Sequence, residues 1–99
     1  MHFADLHLDV TALCKAYGVK NMAVFGSFAR GDAGTDSDLD VVVEFAGEDR
    51  LFDRFMGLKE TLESSTGRTV DLLTRSSMRN PVFQRIVNRE QLSVWTSAA

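Results

Sequence analysis

Residues 26–45 read GSFARGDAGTDSDLDVVVEF. The pair Gly26-Ser27 is followed, after ten residues, by Asp38 and Asp40 on either side of Leu39, at the mouth of a valine-rich run. Such β-branched residues predict a strand over Leu39–Phe45. Residues two apart in an extended chain share a face, so Asp38 and Asp40 project side by side. Adjacent carboxylates at a partly buried position repel one another, and a cation between them removes the cost. Hard oxygen donors of this kind suit magnesium, which binds through one or two carboxylates and fills its shell with phosphate oxygens.

Upstream, the apolar run Met22-Ala23-Val24-Phe25 ends at Gly26, predicting a first strand over Lys20–Phe25. A glycine at that turn lets backbone amides approach an anion that a side chain would block. Ser27 adds a hydroxyl. A helical turn over Ser27–Arg30 would aim its free amides at the same anion, and Arg30 would add a guanidinium. Together these residues predict a site for a metal-bridged polyphosphate.

Three simpler motifs fail on this stretch. Gly26 and Gly31 have P-loop spacing, but Asp32 and Ala33 stand where that loop needs Lys and Ser or Thr. Asp36, Asp38 and Asp40 have the alternation of an EF-hand loop, yet its obligatory glycine is Val41 and its closing glutamate is Gly47. No G-x-G-x-x-G occurs, so a dinucleotide fold has no support.

A chain of 99 residues with 44% hydrophobic residues is enough for one core and predicts a single domain over residues 1–99. A net charge of −3 argues against direct nucleic-acid binding, which relies on clustered Lys and Arg. Cys14 stands alone and reads as a small buried apolar residue in a reducing cytoplasm. No apolar stretch approaches membrane-spanning length, and the start MHFADLHLD lacks the build of a signal peptide. The expectation is a soluble cytoplasmic protein without membrane contact.

Around the two predicted strands, Leu6, Val10, Leu13, Cys14 and Tyr17 recur at helical spacing and predict a first helix from about Phe3 to Tyr17, ended by Gly18. His2 and His7 have no companion ligand and read as ordinary surface or packing residues. On the second strand Leu39, Val41, Val43 and Phe45 should face the core, leaving Asp38, Asp40, Val42 and Glu44 on the other face. Leu51, Phe52, Phe55, Leu58 and Leu62 predict a crossover helix from Glu48 to about Ser65, with Gly57 a weak point inside it. A crossover of that length allows a third strand, Arg68–Thr74, to run parallel to the second. Asp71 then falls beside Asp38 and Asp40. Glu44 is the rival third ligand, but it lies four residues along the strand from Asp40, over a dozen ångströms at roughly 3.3 Å per residue. Ser76 or Ser77 is placed to cap a last helix, with Pro81 in its first turn and Val82, Phe83, Ile86 and Val87 turned inward. A short strand closes the chain at Leu92–Trp95. Arg75, Arg79, Arg85 and Arg89 make this end basic, which reads as a solvated face or, more sharply, as a docking surface or nucleotide contact.

Gly26-Ser27, ten residues, Asp38-Leu39-Asp40 and a third acidic residue on a later strand resemble the signature of the DNA polymerase β-like nucleotidyltransferase superfamily. Arg30 and Gly31 complete a GSxxRG stretch, and the resemblance runs through nearly the whole chain. It implies an α/β (α+β) fold, a small mixed sheet with helices packed on one side. The short length is similar to the minimal nucleotidyltransferases (MNT) often paired with a HEPN-domain partner. That resemblance implies an antitoxin that transfers AMP from ATP to a tyrosine of a HEPN ribonuclease toxin, within a hetero-oligomer. Carried over by position, Asp38 and Asp40 would bind magnesium, two ions being expected. Asp71 would complete the site and help deprotonate the acceptor hydroxyl, and Gly26 and Ser27 would hold the triphosphate. Phe28 stands where variation is expected. The competing readings are a nucleotidyltransferase for a small hydroxylated molecule such as an aminoglycoside, and a non-catalytic module that neutralises a partner by occlusion.

Overall fold

The computed structural model describes residues 1–97. Four strands form one mixed sheet in the order β3-β2-β1-β4: β1 Val19–Phe25, β2 Leu39–Phe45, β3 Val70–Thr74 and β4 Leu92–Thr96. β1 runs antiparallel to β2 and to β4, whereas β2 and β3 are parallel. The helices are α1 Val10–Tyr17, α2 Ser27–Arg30, α3 Leu51–Thr66 and α4 Pro81–Glu90, with 3-10 turns at Phe3–Leu6 and Arg75–Ser77.

The strands, the turn at Ser27–Arg30 and the parallel third strand follow the sequence. The first helix does not run unbroken. His7 takes a left-handed conformation (φ 53°) that ends the turn Phe3–Leu6. The carboxylate of Asp9 then accepts from the Ala12 amide at 3.1 Å and starts α1 anew, a competition between side chain and backbone that apolar periodicity does not register.

One face of the sheet carries the main core. Met22, Val24, Leu39, Val41, Val43, Val70 and Leu72 pack there with Cys14 of α1 and Leu58 and Leu62 of α3. Burial pushes the Cys14 thiol up to about 11, so it stays protonated and behaves as an apolar filler. Gly57 is a fitting surface rather than a weak point. A Cβ there would lie 2.7 Å from Cε1 of Tyr17, so its absence lets α1 approach α3.

The opposite face holds the acidic residues, and it is partly covered. Val42, expected outward, is fully buried in a second cluster with Ala23, Met78 and Val87, because α4 lies across this face. Asn80, not Ser76 or Ser77, caps α4 by accepting from the amides of Val82 (2.9 Å) and Phe83 (3.3 Å). Only Val87 of the expected inward quartet is buried; Val82, Phe83 and Ile86 are 58%, 36% and 44% exposed. A ten-residue helix laid on a small sheet buries a single line of side chains and leaves a flank bare. Phe52 is likewise 75% exposed, since the first turn of α3 stands off the sheet across a cleft of about 1100 Å³ lined by Val43, Phe45, Leu73 and Thr74. Among the described residues no helix is long and apolar enough to cross a membrane.

Candidate functional site

Strand register brings the site together. Phe25 of β1 is paired with Asp40 of β2, and Asp40 with Asp71 of β3. Directly opposed residues point to the same face, so Phe25, Asp40 and Asp71 form a row across three strands. Asp71 stands opposite Asp40 across the parallel pair, and Asp38 adds its charge from the residue that precedes β2. Burial, the Asp71 charge and hydrogen bond, and the Asp38 charge push the Asp40 carboxyl up to about 6, opposed by Arg30.

The turn after β1 closes on this row. Gly26 sits at φ 69°, ψ −146°, and the Ala29 and Arg30 amides both bond its carbonyl at 3.1 Å. The Ser27 and Phe28 amides begin α2 and have no acceptor within the turn. The Asp40 carboxylate crowds the Cα of Gly26, the residue that precedes them. Arg30 contacts Asp32 at 3.2 Å and Glu90 at 3.4 Å. Both pairs are exposed, so they hold the guanidinium weakly and leave it available to a stronger anion. Glu44, the rival ligand, accepts from Asn21 at 2.8 Å and stands 3.8 Å from Lys20. It is committed to β1 rather than to the acidic row. The large cleft beside Phe52 lies at the other end of β2 and β3 and contains none of the three aspartates.

Two residues that position this site escaped the sequence reading. Phe28 is fully buried and anchors α2 in the main core. The Arg68 guanidinium lies 4.9 Å from its ring centroid and also donates to the carbonyls of Gly34 (2.9 Å), Thr35 (3.3 Å) and Ser37 (2.9 Å). One arginine thus ties the buried anchor of the turn to the loop leading into Asp38. The apolar character of an aromatic in a short helical turn is a signal for its burial; the arginine carries no local signal.

A family model for the nucleotidyltransferase domain matches residues 10–93. The chain belongs to this family. The nucleotidyltransferase domain is 37% identical over 75 residues to the protein adenylyltransferase MntA of Thermococcus cleftensis, covering 76% of this chain and 75% of that protein. It is 38% identical over 79 residues to a candidate protein adenylyltransferase of Methanocaldococcus jannaschii, covering 79% of each. Among solved structures it is similar to a candidate minimal nucleotidyltransferase at 34% identity and TM-score 0.76, covering 95% of this chain and 97% of that one. The fold is shared with the MNT antitoxin bound to a tri-AMPylated HEPN toxin from Shewanella oneidensis, at 20% identity and TM-score 0.66 over 98% of this chain and 74% of that one.

The nucleotidyltransferase site suits a divalent cation. Among the described residues no three His, Cys, Asp or Glu side chains are gathered into a ready cage. Magnesium does not require one, because substrate phosphates and water complete its shell. The raised Asp40 carboxyl is the relevant observation: its proton affinity comes from burial and two like charges, the conditions that a bound cation relieves.

Proposed function

We propose that this nucleotidyltransferase transfers AMP from ATP to a tyrosine hydroxyl of a partner HEPN ribonuclease toxin, acting as its cytoplasmic antitoxin. The observation that carries the reading is the meeting of Asp40 and Asp71 across β2 and β3 beside the bend at Gly26, in a chain 37% identical to a protein adenylyltransferase. The fold it shares with an MNT antitoxin in a toxin complex supports the partner assignment. The protein would work as a hetero-oligomer with that toxin, in a single domain over residues 1–99.

Asp38 and Asp40, completed by Asp71, would hold magnesium, which when bound supplies positive charge at the triphosphate. Gly26 allows the β- and γ-phosphates to approach the backbone, and Ser27 and Arg30 donate to them. Asp71 accepts the proton of the acceptor hydroxyl. The acceptor oxygen forms a bond to the α-phosphorus as the bond from that phosphorus to the bridging oxygen breaks, and pyrophosphate leaves. Most of the catalysis is positioning and charge neutralisation.

The test is incubation of the purified protein with α-labelled ATP, magnesium and the HEPN protein. Label on a toxin tyrosine supports the reading. Label on a small hydroxylated molecule, or neutralisation without any transfer, would replace it.

A further inference from the structure

The bare flank of α4 borders the acidic row, and two separate contacts fix its direction. The Phe83 ring meets Phe25 edge-on, with centroids 6.2 Å apart and planes at 82°. Seven residues on, Glu90 reaches Arg30 at 3.4 Å. Residues three, four and seven apart share a helical flank, so Ile86, between them, lines the same edge. Phe25 is itself the cross-strand partner of Asp40, which sets Phe83 one aromatic ring beyond the candidate catalytic carboxylates. A nucleoside triphosphate with its phosphates at Gly26 and Ser27 is long enough to bring its base to this edge.

Resting on the nucleotidyltransferase reading, we infer that Phe83 and Ile86 of α4, backed by Phe25, form the wall against which the nucleobase of the triphosphate packs, selecting purines by area. The exposure of an aromatic ring and a branched aliphatic at the rim of a phosphate site is otherwise unfavourable, and a flat aromatic base covers both. Glu90 lies at the Arg30 end of the flank, 3.4 Å from that guanidinium, while Phe83 and Ile86 carry no polar side-chain atom, so the wall offers contact surface rather than a hydrogen-bond code. Packing against a π-face tolerates any base and grows with ring size. ATP and GTP should therefore bind alike, and CTP and UTP more weakly.

Equilibrium binding of fluorescently labelled ATP, GTP, CTP and UTP to the full chain with magnesium reads this directly, with inorganic tripolyphosphate as a competitor that has no base. Phe83→Ala should weaken ATP and GTP by about tenfold, the order of one lost stacking contact, and leave tripolyphosphate unchanged. Phe83→Trp should retain or tighten both purines. Ile86→Ala, at an exposed position with little call on the core, should weaken ATP by about threefold and serves where Phe83→Ala fails to fold. Unchanged ATP affinity in these variants overturns the inference, as does equal loss of ATP and tripolyphosphate, or a preference of CTP over GTP. Retained nucleotide affinity with lost binding of the HEPN protein would assign the flank to the protein partner instead. Wild-type protein that binds neither ATP nor tripolyphosphate would sink the nucleotidyltransferase reading as well.

Discussion

The carboxylate of Asp40 rests on the bare Cα of Gly26. A Cβ at Gly26 would overlap Asp40 Oδ2 and stand 3.4 Å from its Cγ. The glycine's φ of 69° with ψ of −146° belongs to a backbone region that other residues enter at a cost on the order of 1–3 kcal/mol. Gly26→Ala therefore strains the bend and displaces Asp40 together. Transfer activity should fall by roughly a hundredfold or more, as expected where reacting groups shift by about an ångström, and the melting temperature should drop. Labelled-ATP transfer and thermal denaturation check both; an alanine variant with full activity would contradict this packing.

Asp40→Asn separates stability from activity. The wild-type carboxyl titrates at about 6 rather than its ordinary 3.8, so the folded state holds this proton more tightly than the unfolded chain does. Its stabilising contribution is complete below about pH 3.8 and is lost as pH rises through about 6. In metal-free buffer at pH 7.5 the Asn variant should melt a few degrees higher than wild type, and the gap should close near pH 4. Its transfer activity should drop by roughly a hundredfold or more, since even outer partners of a bound metal are worth 10–100-fold.

Arg68 bridges Phe28 and three carbonyls of the loop before Asp38. Arg68→Ala should cost about 2 kcal/mol, the scale of lost charge-assisted hydrogen bonds, and raise the KM for ATP by loosening residues 31–37. Arg68→Lys should recover little, because a point charge cannot both cover the ring and fan to several carbonyls. Urea denaturation and hydrogen exchange of the loop distinguish this from a purely local loss.

Gly57→Ala reverses the sign expected from helix propensity. In an exposed helix the change would stabilise by roughly 1 kcal/mol. Here the new methyl would meet Tyr17 at 2.7 Å, and the Tyr17 hydroxyl is held 2.7 Å from Thr61 Oγ1, so the ring has little freedom to retreat. A net loss of about 1–2 kcal/mol is expected, within the range for overpacking, read as a lower denaturation midpoint with activity largely kept.

The sheet was legible in the sequence because its signals are local. Valines and apolar runs bounded by Gly and Asp mark β1 to β3, and a crossover of α3's length permits only a few placements of Asp71. The misreadings share a different origin. The helix break between Leu6 and Val10 depends on one side chain, Asp9, outcompeting periodicity. The outward turn of Val82 and Phe83 depends on how little sheet α4 has to cover. Arg54, which donates to the carbonyls of Tyr17, Gly18, Ala46 and Asp49, resembles Arg68 in this respect. Its task is set by backbone groups from two segments, Tyr17-Gly18 and the loop from Ala46 to Asp49, and no spacing rule announces it.

The parallel pairing of β2 with β3 has a consequence for synthesis of the chain. A ribosome that has released the phosphate bend, Asp38 and Asp40 has still to translate the whole of α3 before Asp71 emerges. Every shorter nascent chain holds Asp40 without the carboxylate that faces it across the sheet. Under the proposed function, nucleotide transfer therefore begins only once β3 has been made.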